Sequence, residues 1–171
     1  MLVLGILITS TSILILSPLK ISKMYFLKKN PWKIFAILHC IFLSSWAISA
    51  PLPVIELKLG KETIQAEVAS TPSTQQLGLM FRKELGANSG MLFIFNEKAG
   101  HCFWMKNTLI PLSIAFLEDD GKIINIEEMQ PQTEDNHCPK KATRFALEMN
   151  KEWFSSRKFG AGSIITGLPK F

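Results

Sequence analysis

Apolar and polar residues alternate along Val54-Ile-Glu-Leu-Lys-Leu, break at Gly60-Lys61, and alternate again over residues 63–68, where Ile64, Ala66 and Val68 share one side. Successive side chains on a strand face opposite ways, and a two-residue break with glycine reverses the chain, so this stretch predicts a β-hairpin. Thr71-Pro72 supplies a helix cap followed by proline at the first helical position, which predicts a short helix closing near Gly78. Strands are predicted over 91–95, 101–108 and 112–118, the last passing through Asp119-Asp120-Gly121 into a strand over 122–127, a second hairpin. A polar loop over 129–141 precedes a strand over 144–149, a short helix over 151–157, and a last strand over 163–166. Seven or eight short strands and two brief helices predict a mainly β domain, an antiparallel sandwich or partly closed barrel.

The first fifty residues follow a different pattern. From Met24 a basic stretch, an apolar run and the small residues up to Ala50 come in the order of a secretory signal. Residues 24–50 are therefore expected to be a signal peptide cleaved after Ala50, with Ala47 as the second site and an uncleaved anchor as the alternative. Residues 1–23 read as an upstream extension or an extra hydrophobic segment, and residues 51–171 as a single exported β-domain. The expected location is periplasmic or secreted, or anchored at the inner membrane facing the periplasm, with membrane contact only through the N-terminal segment.

The formal charge of +5 is confined to this address. Five of the 19 Lys and Arg precede Ala50 while all 14 Asp and Glu follow it, leaving 14 basic against 14 acidic residues in the domain. A nucleic-acid partner is not expected, because displacing counterions from phosphates needs a cationic surplus.

Cys102 and Cys138 are the cysteines beyond the signal, an even number in a chain bound for an oxidising compartment, and a disulfide between them is expected. Each follows a histidine, so His101, Cys102, His137 and Cys138 compose a second possibility, a zinc or copper site. Neighbours on a strand face opposite ways, however, and no metal or other cofactor is predicted. Met91 and Met149 share strand parity with large apolar residues and read as core fillers, and Trp153 and Phe154 as core anchors. Ser113 lacks a nucleophile elbow, and the carboxylate pairs Asp119-Asp120 and Glu127-Glu128 fall at turns or strand ends. Catalysis has little support.

Gly78-Leu79-Met80, Gly90-Met91-Leu92-Phe93, Trp104-Met105-Lys106-Asn107-Thr108, Ile110-Pro111-Leu112 and Leu147-Glu148-Met149-Asn150 together resemble the bacterial and archaeal domain of unknown function 192 family. The resemblance runs from about Ile55 to Ile165 and implies a compact, jelly-roll-like β fold, with no established substrate or reaction. Where most members carry Asp after Ile-Pro-Leu this chain has Ser113, so a role resting on that carboxylate does not transfer.

Within or beside these motifs, Arg82, Lys106, Asn107 and Glu148 are candidates for one ligand-binding site: two cations, an amide that donates and accepts, and a carboxylate to orient them. On a regular strand Lys106 and Asn107 face opposite ways, so a shared site requires the strand to end or bulge near Asn107, which Pro111 favours. The bland alternatives make Asn107 a turn residue and Glu148 a solvated sheet position beside Arg144 and Ala146. The expected function is binding of a small polar ligand or an envelope protein without catalysis. Two alternatives stay open: a hydrolase or carbohydrate-active enzyme using Glu148 with Lys106 and Asn107, and a purely structural envelope protein.

Overall fold

In the computed structural model, which describes residues 51–170, β1 (Val54–Leu59) and β2 (Glu62–Ala69) form the expected hairpin, with Leu57 opposite Ile64 and Gly60 in the left-handed region of the turn. The readings of residues 1–50 as extension, signal or anchor lie outside the described residues. α1 (Pro72–Leu77) starts where the cap signal places it. Thr71 Oγ1 accepts from the Thr74 amide and Thr74 Oγ1 from the Thr71 amide, a reciprocal capping box with Pro72 in the first turn. β3 (Ser89–Ala99), β4 (Leu112–Leu117), β5 (Ile123–Met129), β6 (Thr143–Asn150) and β7 (Ile165–Thr166) complete the chain.

The seven strands make one mixed sheet in the order β5-β4-β6-β3-β2-β1-β7, curled into a half-barrel. The expectation of a purely antiparallel sheet is corrected at one place: β2 and β3 run parallel, with Ala66 opposite Gly90 and Val68 opposite Leu92. The connection over residues 70–88, carrying α1, is long enough to return the chain to the starting end of the sheet, which a hairpin turn cannot do. The two sheet ends approach through a bridge between Lys122 and Ile164, with Ile123 N donating to Ser163 O at 2.8 Å. Gly121, at φ 85°, permits this approach, because a Cβ there would collide with the Ile165 carbonyl.

Two further expectations change. The second helix reduces to a 3-10 turn, Ser155–Arg157, flanked by Glu152 and Lys158 at positive φ, because Trp153 and Phe154 turn inward as core anchors. Residues 101–108 form an irregular ribbon rather than a sheet strand. Phe103 and His137 exchange both backbone hydrogen bonds at 2.8 Å, Met105 N donates to Thr133 O, and Gln132 N donates to Thr108 O. This pairing makes 101–108 and 132–138 a strap across the sheet.

The strap explains why every residue of β4 is buried. One sheet face closes on an inner core of Leu57, Ile64, Leu92, Leu147, Trp153 and Phe154. The opposite face carries an outer core in which Met91, Phe93, Ile114 and Phe116 pack under Leu79 and Met105 of the covering segments. Met91, Met105, Met129 and Met149 are fully buried, as core fillers should be. No helix among the described residues is long and apolar enough to cross a membrane.

Candidate functional site

Alternation along β6 sends Phe145, Leu147 and Met149 to the inner core and Ala146 and Glu148 to the outer face. Glu148 pairs with Met91 on β3 and with Ile114 on β4, so it lies mid-sheet between two apolar neighbours. Gly90 makes this spacing possible, since a Cβ there would sit 2.6 Å from the Glu148 carbonyl oxygen and press on the Met149 sulfur. Close packing of β3 on β6 thus gives a physical reason for the glycine of the Gly-Met-Leu-Phe string.

Glu148 is 4% exposed, and its carboxyl has no hydrogen-bond or ion-pair partner among the described residues. It is not the solvated sheet position of the bland alternative. Burial pushes its pKa up to about 8, because removing the charged form from water is penalised. The carboxyl lines a cavity of about 360 Å³ between α1 and the strap. Phe93, Phe95, Phe103 and Trp104 supply aromatic wall, and Gln75 and Thr108 polar edges.

The wall is held by ring contacts between the end of β3 and the strap, and by a disulfide across the strap. Phe95 stacks on His101 with ring centroids 3.7 Å apart, and Phe103 meets Phe93 edge to face at 4.8 Å. Cys102 and Cys138 form a disulfide with Cα atoms 4.2 Å apart. They flank the hydrogen-bonded pair of Phe103 and His137, and neighbouring positions in such a ladder bring Cα atoms to about 4.5 Å. Both sulfurs are thereby used, so the His-Cys tetrad has no thiolate to offer a metal. No group of three or more His, Cys, Asp or Glu suited to a metal occurs among the described residues.

Glu148 lines the cavity, whereas Arg82, Lys106 and Asn107 do not. Arg82 pairs with Glu67 at 2.5 Å. Lys106 pairs with Glu134 at 3.3 Å and rests its ammonium 5.2 Å from the Trp104 ring centroid, which places it at the rim. Asn107, at φ 58°, ends the extended segment as a turn residue, and its carbonyl accepts from Phe81 N at 2.9 Å. Ser113 is fully buried, donating to Glu128 Oε2 and accepting from Glu152 N, both at 2.8 Å. In place of a carboxylate it fastens the turn after β6.

The wall residues Gln75 and Phe95 carry no sequence signal of their own, and Thr108 only its place in the Trp-Met-Lys-Asn-Thr string. His101 was visible as a candidate metal ligand and Trp104 as part of the Trp-Met-Lys-Asn-Thr string, whereas Trp153 and Phe154, read as core anchors, belong to the opposite face.

No functionally curated protein is similar to this chain in sequence. Among solved structures it resembles a protein from Sinorhizobium meliloti 1021 provisionally described as a transcription regulator. Identity is 28% and the TM-score 0.67, over 70% of this chain and 97% of that one. It also resembles a protein of unknown function from Novosphingobium aromaticivorans DSM 12444, at 31% identity and TM-score 0.64, over 69% of this chain and 93% of that one. Residues 55–167 match the profile of DUF192, described as uncharacterized ACR, and the chain belongs to that family.

Proposed function

We propose that the domain is exported and binds a small polar ligand, without catalysis, in the cavity beside Glu148. One observation carries this reading: a carboxyl that is 4% exposed and has no partner among the described residues lines an aromatic-walled cavity large enough for a small molecule. The disulfide supports delivery to an oxidising compartment, and the charge asymmetry supports an N-terminal address. A role in transcription, suggested by the description of the Sinorhizobium protein, gains no support from a domain with 14 basic and 14 acidic residues.

The enzymatic alternative draws on the same carboxyl, since an acid with a pKa of about 8 holds a donatable proton at neutral pH. It lacks a second acid at the cavity, and Lys106 and Asn107 stand outside the lining. The binding reading is tested by a thermal-shift screen of residues 51–171 against periplasmic metabolites, with Glu148→Gln in parallel. This unit is suitable because the Sinorhizobium chain, matched over 97% of its length, is the same domain by itself. A ligand that stabilises the parent and not the variant supports the site, turnover of that ligand moves the function to the enzymatic alternative, and no ligand leaves a structural envelope role. Export is tested by N-terminal sequencing of the protein recovered from the periplasm, where Pro51 is the expected first residue and an intact Met24 segment argues for the anchor.

A further inference from the structure

We propose that the ligand of the Glu148 cavity is an organic cation, a small amine or methylated ammonium, held by the carboxylate and the faces of the surrounding rings. This rests on the ligand-binding reading above and names its chemical class.

The argument starts from the charges facing the cavity. Among the lining side chains Glu148 is the carboxyl and His101 the other titratable group. His101 is committed to the wall, stacked on Phe95 and with Nε2 3.0 Å from the Glu97 carbonyl. Across the sheet Glu148 has Met91 and Ile114 as neighbours, and the next carboxylates in that row are Glu67 and Glu127. Both are engaged, Glu67 by Arg82 at 2.5 Å and Glu127 by the Asn125 amide at 3.1 Å. At the rim Lys106 is charge-paired with Glu134, which blunts its repulsion of an entering cation. One carboxyl therefore stands ready for a charge the protein does not itself supply.

The rings decide the sign and type of ligand. Aromatic faces carry negative and ring edges positive potential, so wherever Phe93, Phe95, Phe103 or Trp104 turns a face to the cavity it favours a diffuse cation over an anion. Trp104 is 45% exposed and already serves as an ammonium platform for Lys106. A hard divalent ion fits poorly, because it takes about six to eight oxygen ligands and this cavity offers one carboxyl. A sugar needs several free polar groups, and Gln75 Nε2 is already spent on the Ile94 carbonyl at 2.6 Å.

The proton balance follows from the state of the free protein. Burial keeps the Glu148 carboxyl protonated at neutral pH. Binding an ammonium requires the carboxylate, so one proton passes to solvent for each cation bound. Affinity then rises by up to about tenfold per pH unit and levels off near pH 8.

The experiment is isothermal calorimetry on residues 51–171 with the disulfide intact, at about pH 6, 7 and 8, in two buffers of different ionisation enthalpy. The probes are choline chloride, n-butylammonium chloride, the neutral choline isostere 3,3-dimethylbutan-1-ol, and N-acetylglucosamine. An ammonium probe should bind about tenfold or more tightly than the neutral isostere and release about one proton per ligand below pH 8. Glu148→Gln, isosteric with the protonated acid and folded by circular dichroism, should lose both the proton release and about tenfold in affinity. Trp104→Ala should weaken binding at an unchanged melting temperature. Ammonium binding that ignores Glu148→Gln overturns the proposal. If N-acetylglucosamine binds through Glu148 while both ammonium probes are silent, the cation class falls and the ligand-binding reading stands. Silence of all four probes defeats the cation proposal alone where the metabolite screen has found another Glu148-dependent ligand, and both readings where it has not.

Discussion

Leu147 and Glu148 are adjacent in sequence and belong to opposite faces of one strand, and the two faces are built on different terms. Leu147 sits between Leu92 and Ala115 in an inner core closed by Trp153 and Phe154. Glu148 sits between Met91 and Ile114, under a cover made of loop and strap rather than strands, and that cover leaves a cavity. The inner face gains from every contact. The outer face retains a desolvated carboxyl whose burial costs stability, and such an expense in a folded domain points to a use.

Four substitutions or conditions would break or sharpen this contrast. Leu147→Ala opens a void in the inner core and should cost about 2–5 kcal/mol, read as a lower urea midpoint. Reduction of the disulfide, or Cys102→Ser with Cys138→Ser, frees a separation of 36 residues and should cost about 3–4 kcal/mol on the chain-entropy model. Amide exchange should then rise first in residues 101–108 and 132–138 and last in the inner core; uniform acceleration would mean that the faces are not separable.

Glu148 predicts a pH signature of comparable total size, spread over several pH units. Its pKa is raised from 4.5 to about 8 in the folded protein, so its contribution is complete below about pH 4.5 and is lost as pH rises toward about 8. The loss should approach, and not exceed, about 1.4 kcal/mol per pH unit within that window. Glu148→Gln should flatten the window and be more stable than the parent at about pH 8 without ligand. Chemical denaturation at several pH values checks this, and an unchanged slope in the variant would show that the carboxyl is solvated. Lys106→Ala, which removes an exposed ion pair and a ring contact at the rim, should change stability by about 0.5 kcal/mol or less.

The contrast between faces was partly legible in the amino-acid pattern. Hairpins β1–β2 and β4–β5 follow from alternation and turn residues close in sequence, and α1 from its Thr-Pro start. The parallel pairing of β2 with β3 was not legible, because two strands joined over residues 70–88 carry no local mark of their relative direction. Residues 101–108 have strand-like composition, yet their partner is residues 132–138 rather than the sheet, a choice made by tertiary packing and the disulfide. Glu148 could be singled out as the acid of the Leu-Glu-Met-Asn string on β6. Its supposed companions could not be tested by parity, since the turn at Asn107 directs the chain away. The true wall, Phe95 against His101 and Phe103 against Phe93, exists only after the strap has folded over the sheet.

The position of β6 has a consequence for how the domain can come into being. It is the strand that joins the β5–β4 pair to the β3-β2-β1 side of the sheet, yet it is the next-to-last to be synthesised. Until residue 150 has emerged, the two half-sheets have no common neighbour, and each shows water a face meant for the interior. Nucleation therefore waits on contacts distant along the chain, which slows folding and lengthens the interval in which the polypeptide remains threadable. For the export proposed above, this strand order is a delay compatible with passage of the chain before folding.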